Sequence, residues 1–144
     1  MAATAFQLYN RAKFAIGNGT LILGAAQLRV KLHTSASNAS TFTLTTFASV
    51  TNEISARGGY VAGGRSLQSM IWTVGASAKS FKLDAADLVF TASNSALNNV
   101  KFAVIGVNAG RALCWSRLST AQFTVTSPNT LTIQFNALGI LTLT

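Results

Sequence analysis

The sequence predicts an all-β domain, an antiparallel β-sandwich of jelly-roll or other Greek-key topology, preceded by a short N-terminal helix. Three observations predict it. Apolar and polar residues alternate with period two in several segments, clusters of turn-forming residues separate those segments at short intervals, and no strand-helix rhythm is present to support a parallel sheet. The 144 residues make one domain spanning 1–144, with no internal repeat or linker. At 15.1 kDa a folded monomer should expose roughly 7,000 Å² and bury about two-thirds of its extended-chain surface, enough for a core without staples.

Taken in order, residues 5–16 place Phe6, Tyr9, Lys13 and Ile16 at helical spacing, with Leu8, Ala12 and Ala15 on an adjacent face, before Gly17-Asn18-Gly19 stops the helix. The period then changes to two. Residues 27–33 alternate throughout, putting Leu28, Val30 and Leu32 on a core face and Arg29, Lys31 and His33 on a solvent or interface face. The same signature marks 41–45, 122–126 and 130–136, and Ser127-Pro128-Asn129 should join the last two as a hairpin. Continuous apolar runs at 70–74, 88–90 and 102–105 fit strands covered on both faces, and 140–143 closes the chain. Turn clusters at 35–40, 58–64 and 93–99 complete a count of about eight strands.

Charged residues are only 10% of the chain, and 17 Thr, 14 Ser and 10 Asn replace them; with 49% hydrophobic residues this is a folding composition, not a disordered one. The net charge of +8 is scattered and forms no basic stripe, so it suits an acidic protein surface better than nucleic acid. So few charges also leave a lone copy poorly soluble, which predicts life in an assembly where part of its surface is covered. No apolar stretch reaches the roughly 20 residues a membrane helix needs, and residues 1–6 lack the pattern of a signal peptide.

The chemical inventory is sparse. The carboxylates are Glu53, Asp84 and Asp87, the imidazole is His33, and the thiol is Cys114 within an apolar run, expected to be a buried structural group. Asp84 reads as the cap of a turn before residue 88 rather than half of a catalytic or metal pair. Residues 59–66 come within one position of a phosphate-binding loop, but the lysine, the preceding buried strand and the following helix are missing, so these glycines read as a surface loop. Arg57, Tyr60 and Arg65 within that loop, with Arg29 and Lys31 on the strand, are the candidate protein-interface residues, since Arg and Tyr are favoured where proteins dock. Neither a catalytic residue, a metal site nor a cofactor is predicted.

Four stretches, 9–20, 51–64, 81–93 and 129–140, resemble a family of small virion structural proteins of tailed bacteriophages, in order and over nearly the whole chain. The resemblance implies a non-enzymatic protein that decorates and stabilises the outer surface of the phage head, with the major capsid protein or another virion protein as partner. A tail, neck or fibre component contacting a host glycan is the alternative. Synthesis in the host cytoplasm and residence in the virion follow from either.

Overall fold

The computed structural model describes residues 3–144. In chain order these form β1 (Gln7–Leu8), α1 (Asn10–Gly17), β2 (Leu28–His33), a 3-10 turn at Phe47–Ser49, β3 (Arg65–Ser66), β4 (Ile71–Val74), β5 (Phe81–Asp84) and β6 (Leu88–Thr91). There follow β7 (Leu97–Val100), β8 (Phe102–Val107), β9 (Ala112–Arg117), β10 (Phe123–Val125), β11 (Thr130–Ile133) and β12 (Leu141–Leu143). The domain is mostly β, with antiparallel pairing throughout the named ladders, as the alternation predicts.

From Phe81 to Leu143 the chain is one long antiparallel ribbon folded back on itself: β8 pairs with β9, β7 with β10, β6 with β11 and β5 with β12. The ribbon reverses in a tight turn where the Gly110 N–H donates to the Val107 carbonyl at 2.9 Å and the Val107 N–H to the Arg111 carbonyl at 2.8 Å. Its closed end enters a five-stranded sheet of order β1-β9-β8-β2-β3, and its open end joins β4 in a sheet of order β12-β5-β4.

The central sheet is buried on both faces. On one, Leu28, Val30 and Leu32 alternate inward and register with Val107, Ile105 and Ala103 of β8. On the other, the connection between β2 and β3 folds back across the strands. Phe47 lies so close to Gly106 that an added Cβ would meet its ring at 2.6 Å, and Phe42 and Phe102 both stand edge-on to Trp115, with centroids 5.9 and 6.1 Å away. This second layer makes β8 buried along nearly all its length, as its continuous apolar run predicts. The accessible surface, 7310 Å², is close to the area expected for a compact chain of this mass.

Several elements differ from the sequence expectation, each for a physical reason. The helix begins at Asn10 rather than residue 5, because residues 7 and 8 pair with Trp115 and Cys114 on the open edge of β9 and Tyr9 continues that contact by donating to the Leu113 carbonyl at 3.1 Å. Residues 41–45 form no strand. Turns close at Thr41 and Leu44, whose N–H groups donate to the carbonyls of Asn38 and Thr41, and the segment meets β9 at its far end, where the Thr45 carbonyl accepts from the Ala112 N–H at 3.2 Å and Thr46 bridges Arg111. Residues 122–126 and 130–136 do not pair with each other: β10 and β11 lie along the same arm of the long ribbon, and the Ser127-Pro128-Asn129 trio sits in a kink opposite residues 92–96. Asn129 secures that kink by accepting from the Ala92 N–H at 2.9 Å. β4 and β6 are not covered on both faces. β6 alternates buried Leu88 and Phe90 with exposed Val89 and Thr91, and Ile71 and Val74 of β4 are each 52% exposed.

Candidate functional site

The candidate site is built where the polar face of β2 meets the glycine loop at 58–64. Arg29 and Lys31 project toward the returning 34–64 segment rather than into bulk water, and both are half-buried. Arg29 donates from Nε to the Gly63 carbonyl at 2.9 Å and from Nη2 to the Gly64 carbonyl at 2.6 Å. A planar guanidinium suits this forked contact. Gly64 itself runs against β2, with φ +73° and no room for a Cβ beside the Val30 carbonyl, so only glycine fits there.

Glu53 is the hub. Its Oε1 accepts from the Tyr60 hydroxyl at 2.6 Å and from the Gly63 N–H at 2.7 Å, and its Oε2 lies 3.7 Å from Lys31 Nζ. The Lys31 ammonium also sits 4.3 Å above the Phe47 ring, a cation–π contact that fixes the same segment. Tyr60 is 3% exposed; its hydroxyl also accepts from the Leu32 N–H at 3.1 Å, and its ring lies 5.8 Å from that of Phe90. Burial, reinforced by donation to Glu53, pushes the Tyr60 phenol far above its ordinary range.

His33, expected at a solvent or interface face, is fully buried beside this latch, because the same returning segment covers it. Its Nδ1 donates to the Thr51 carbonyl at 2.9 Å, an acceptor that fixes the tautomer and leaves Nε2 as a buried lone pair without a partner among the described residues. Burial holds the imidazole pKa below its ordinary value, against opposing pulls from Thr51 and Glu53. The other two carboxylates and the thiol also serve the fold. Asp84 accepts from the Ala85 N–H at 2.9 Å, capping the turn before β6, and pairs with Lys82 at 3.0 Å; Asp87 accepts from the Phe135 N–H at 2.9 Å. Cys114 is buried, and desolvation raises its thiol pKa, the opposite of what a nucleophile needs. Among the described residues no group of three His, Cys, Asp or Glu side chains is placed to hold a metal ion.

The structure therefore divides the five predicted interface residues. Tyr60 is core and cannot meet a partner. Arg29 and Lys31 are half-buried and hold the glycine loop. Arg57 and Arg65 are exposed at its two ends. Arg65 turns across to donate to the Val89 carbonyl of β6, and with Arg29 it lines a cleft of about 450 Å³ floored by Leu88 and Phe90. Glu53 was the residue the sequence did not single out; a lone carboxylate between an Arg-x-Lys strand and a glycine loop was its only signal. Comparison with protein-family models, curated proteins and solved structures finds no match to this chain.

Proposed function

We propose that this chain is a non-enzymatic virion structural protein of a tailed bacteriophage, a decoration protein that docks on the outer surface of the head and stabilises it. The observation that carries this reading is the division of the chain's charge. The three carboxylates are committed to internal contacts, and among the described residues, which hold all eleven Lys and Arg side chains, Lys31 and Lys82 are the ones that face a carboxylate. The result is a cationic exterior, which suits adhesion to an acidic surface.

Two further features support it. The nested pairing of β5 with β12, β6 with β11, β7 with β10 and β8 with β9 is the order that winding a ribbon into a jelly roll requires, and that architecture recurs in viral capsid domains. The open end of the ribbon also carries an exposed apolar row, Val74, Phe81 and Leu143, aligned across three strands, which favours a dimer or trimer on the particle. Cosedimentation of the purified protein with heads of a phage that encodes it tests the proposal. Saturable binding that weakens as salt rises is the expected result; partition with tails, or with neither, overturns it.

A further inference from the structure

The segment 58–68 runs antiparallel to residues 86–93, yet the two do not zip. They are joined at their ends, where the Ala86 N–H donates to the Gln68 carbonyl at 3.0 Å and the Ser93 N–H to the Gly58 carbonyl at 3.1 Å. Between those clamps lies a cleft of about 450 Å³ lined by Arg29 and Arg65, closed off toward Ser93 where Gly59 packs so tightly on the Thr91 carbonyl that an added Cβ would meet it at 2.7 Å. Both walls are strand edges: β3 ends the central sheet and has a ladder only with β2, and β6 has a ladder only with β11. Since Ala92 bonds toward the β11 side, alternation turns the N–H groups of Val89 and Thr91 toward the cleft, while the Val89 carbonyl takes the Arg65 guanidinium and the Thr91 carbonyl is covered by Gly59.

We propose that this cleft binds an extended acidic segment of a partner protein, which places one carboxylate between Arg29 and Arg65 and accepts from the Val89 and Thr91 N–H groups. The inference deepens the docking reading above by naming the partner's chemistry. Charge argues for the carboxylate: two guanidiniums line the cleft, no carboxylate does, and their contacts to Gly63, Gly64 and Val89 leave further N–H groups on each. The two N–H groups argue for a peptide, because backbone donors beside a guanidinium pair suit a chain that offers a carbonyl and a carboxylate together. A nucleic acid strand is disfavoured here, since the aromatic rings next to the cleft, Phe90 and Tyr60, are 2% and 3% exposed and offer no stacking platform.

The test uses the isolated protein with a blocked hexapeptide of alternating valine and threonine carrying one central aspartate. Amide shifts should concentrate at Val89 and Thr91. Replacing the aspartate by asparagine in the peptide, or Arg65→Gln in the protein, should each weaken binding about tenfold, the scale of one charge-assisted hydrogen bond. The peptide substitution needs no protein variant, so a fold defect cannot mask the result. Equal affinity for the aspartate and asparagine peptides overturns the proposal, as do shifts confined elsewhere, or a single-stranded oligonucleotide that binds the cleft more tightly than the peptide. Particle binding is not measured in this assay, so the cleft and the virion reading fail independently.

Discussion

Tyr60→Phe isolates the latch that holds the glycine loop. The ring and its contact with Phe90 stay, so no cavity opens and only the hydroxyl is lost. That hydroxyl donates to Glu53 at 2.6 Å and accepts from the Leu32 N–H at 3.1 Å. A bond to a charged acceptor contributes about 1.5–3 kcal/mol, and the Leu32 N–H, which points away from β8 as its own carbonyl does toward Ile54, is left unsatisfied at a cost of about 1–3 kcal/mol. Glu53 is partly exposed, so water replaces some of its loss, and the expected total is about 3 kcal/mol. For a chain of this length that lowers Tm by about 6–12 °C. Urea unfolding followed by fluorescence, with Glu53→Gln as a companion that keeps an acceptor for both donors, measures it. A loss below about 0.5 kcal/mol, the range of ordinary surface changes, would refute the assignment of the latch.

Four other outcomes are expected. Because burial lowers the folded pKa of His33, neutral imidazole is favoured in the native state; its stabilising effect is present above about pH 6.5, where the unfolded imidazole loses its proton, and falls as pH drops toward the folded pKa, so His33→Gln should flatten the acid limb of a stability–pH profile. At the alkaline end Tyr9 and Tyr60 have raised folded pKa values, so stability is full below about pH 10 and declines above it, a limb that Tyr60→Phe should shorten by about one proton in a pH titration of unfolding. Gly64→Ala should cost more than about 3 kcal/mol or abolish folding, since the Cβ overlaps the Val30 carbonyl and the φ is left-handed; a folded variant of near-parental Tm would contradict the close approach. Phe81→Asp, at a position 46% exposed, should leave the fold intact and weaken self-association by about tenfold in sedimentation equilibrium, whereas unchanged association would remove the Val74, Phe81 and Leu143 row from the interface.

What could be read from the sequence was local, and what could not was pairing. The alternation at 27–33 gave the correct core face for Leu28, Val30 and Leu32, because period two is enforced wherever one side of a strand is buried. The opposite face misled. Arg29, Lys31 and His33 carry the polarity of a solvated surface, yet the 34–64 segment covers them, and no local pattern reports that a distant loop will return. The same blindness explains the kink at Ser127-Pro128-Asn129, whose residues favour a reversal equally well in a hairpin or in the interruption of a ribbon. At 41–45 alternating threonines met the compositional test for a strand, but turns at Thr41 and Leu44 break the run before it meets β9 at Thr45. The glycine loop was legible as a loop; that two of its glycine carbonyls would satisfy Arg29 was not, since that contact spans more than thirty residues.

The central proposal, that this chain docks on the outside of a phage head through the basic surface around Arg57 and Arg65, is tested most directly by a cryo-electron microscopy map of phage particles assembled in its presence. The account predicts density for the domain at symmetric positions on the outer head surface, in dimeric or trimeric clusters, with Arg57, Arg65 and the cleft between β3 and β6 turned toward acidic residues of the shell. Heads bare of this density, or the domain seated on the tail with the cleft facing solvent, would contradict it.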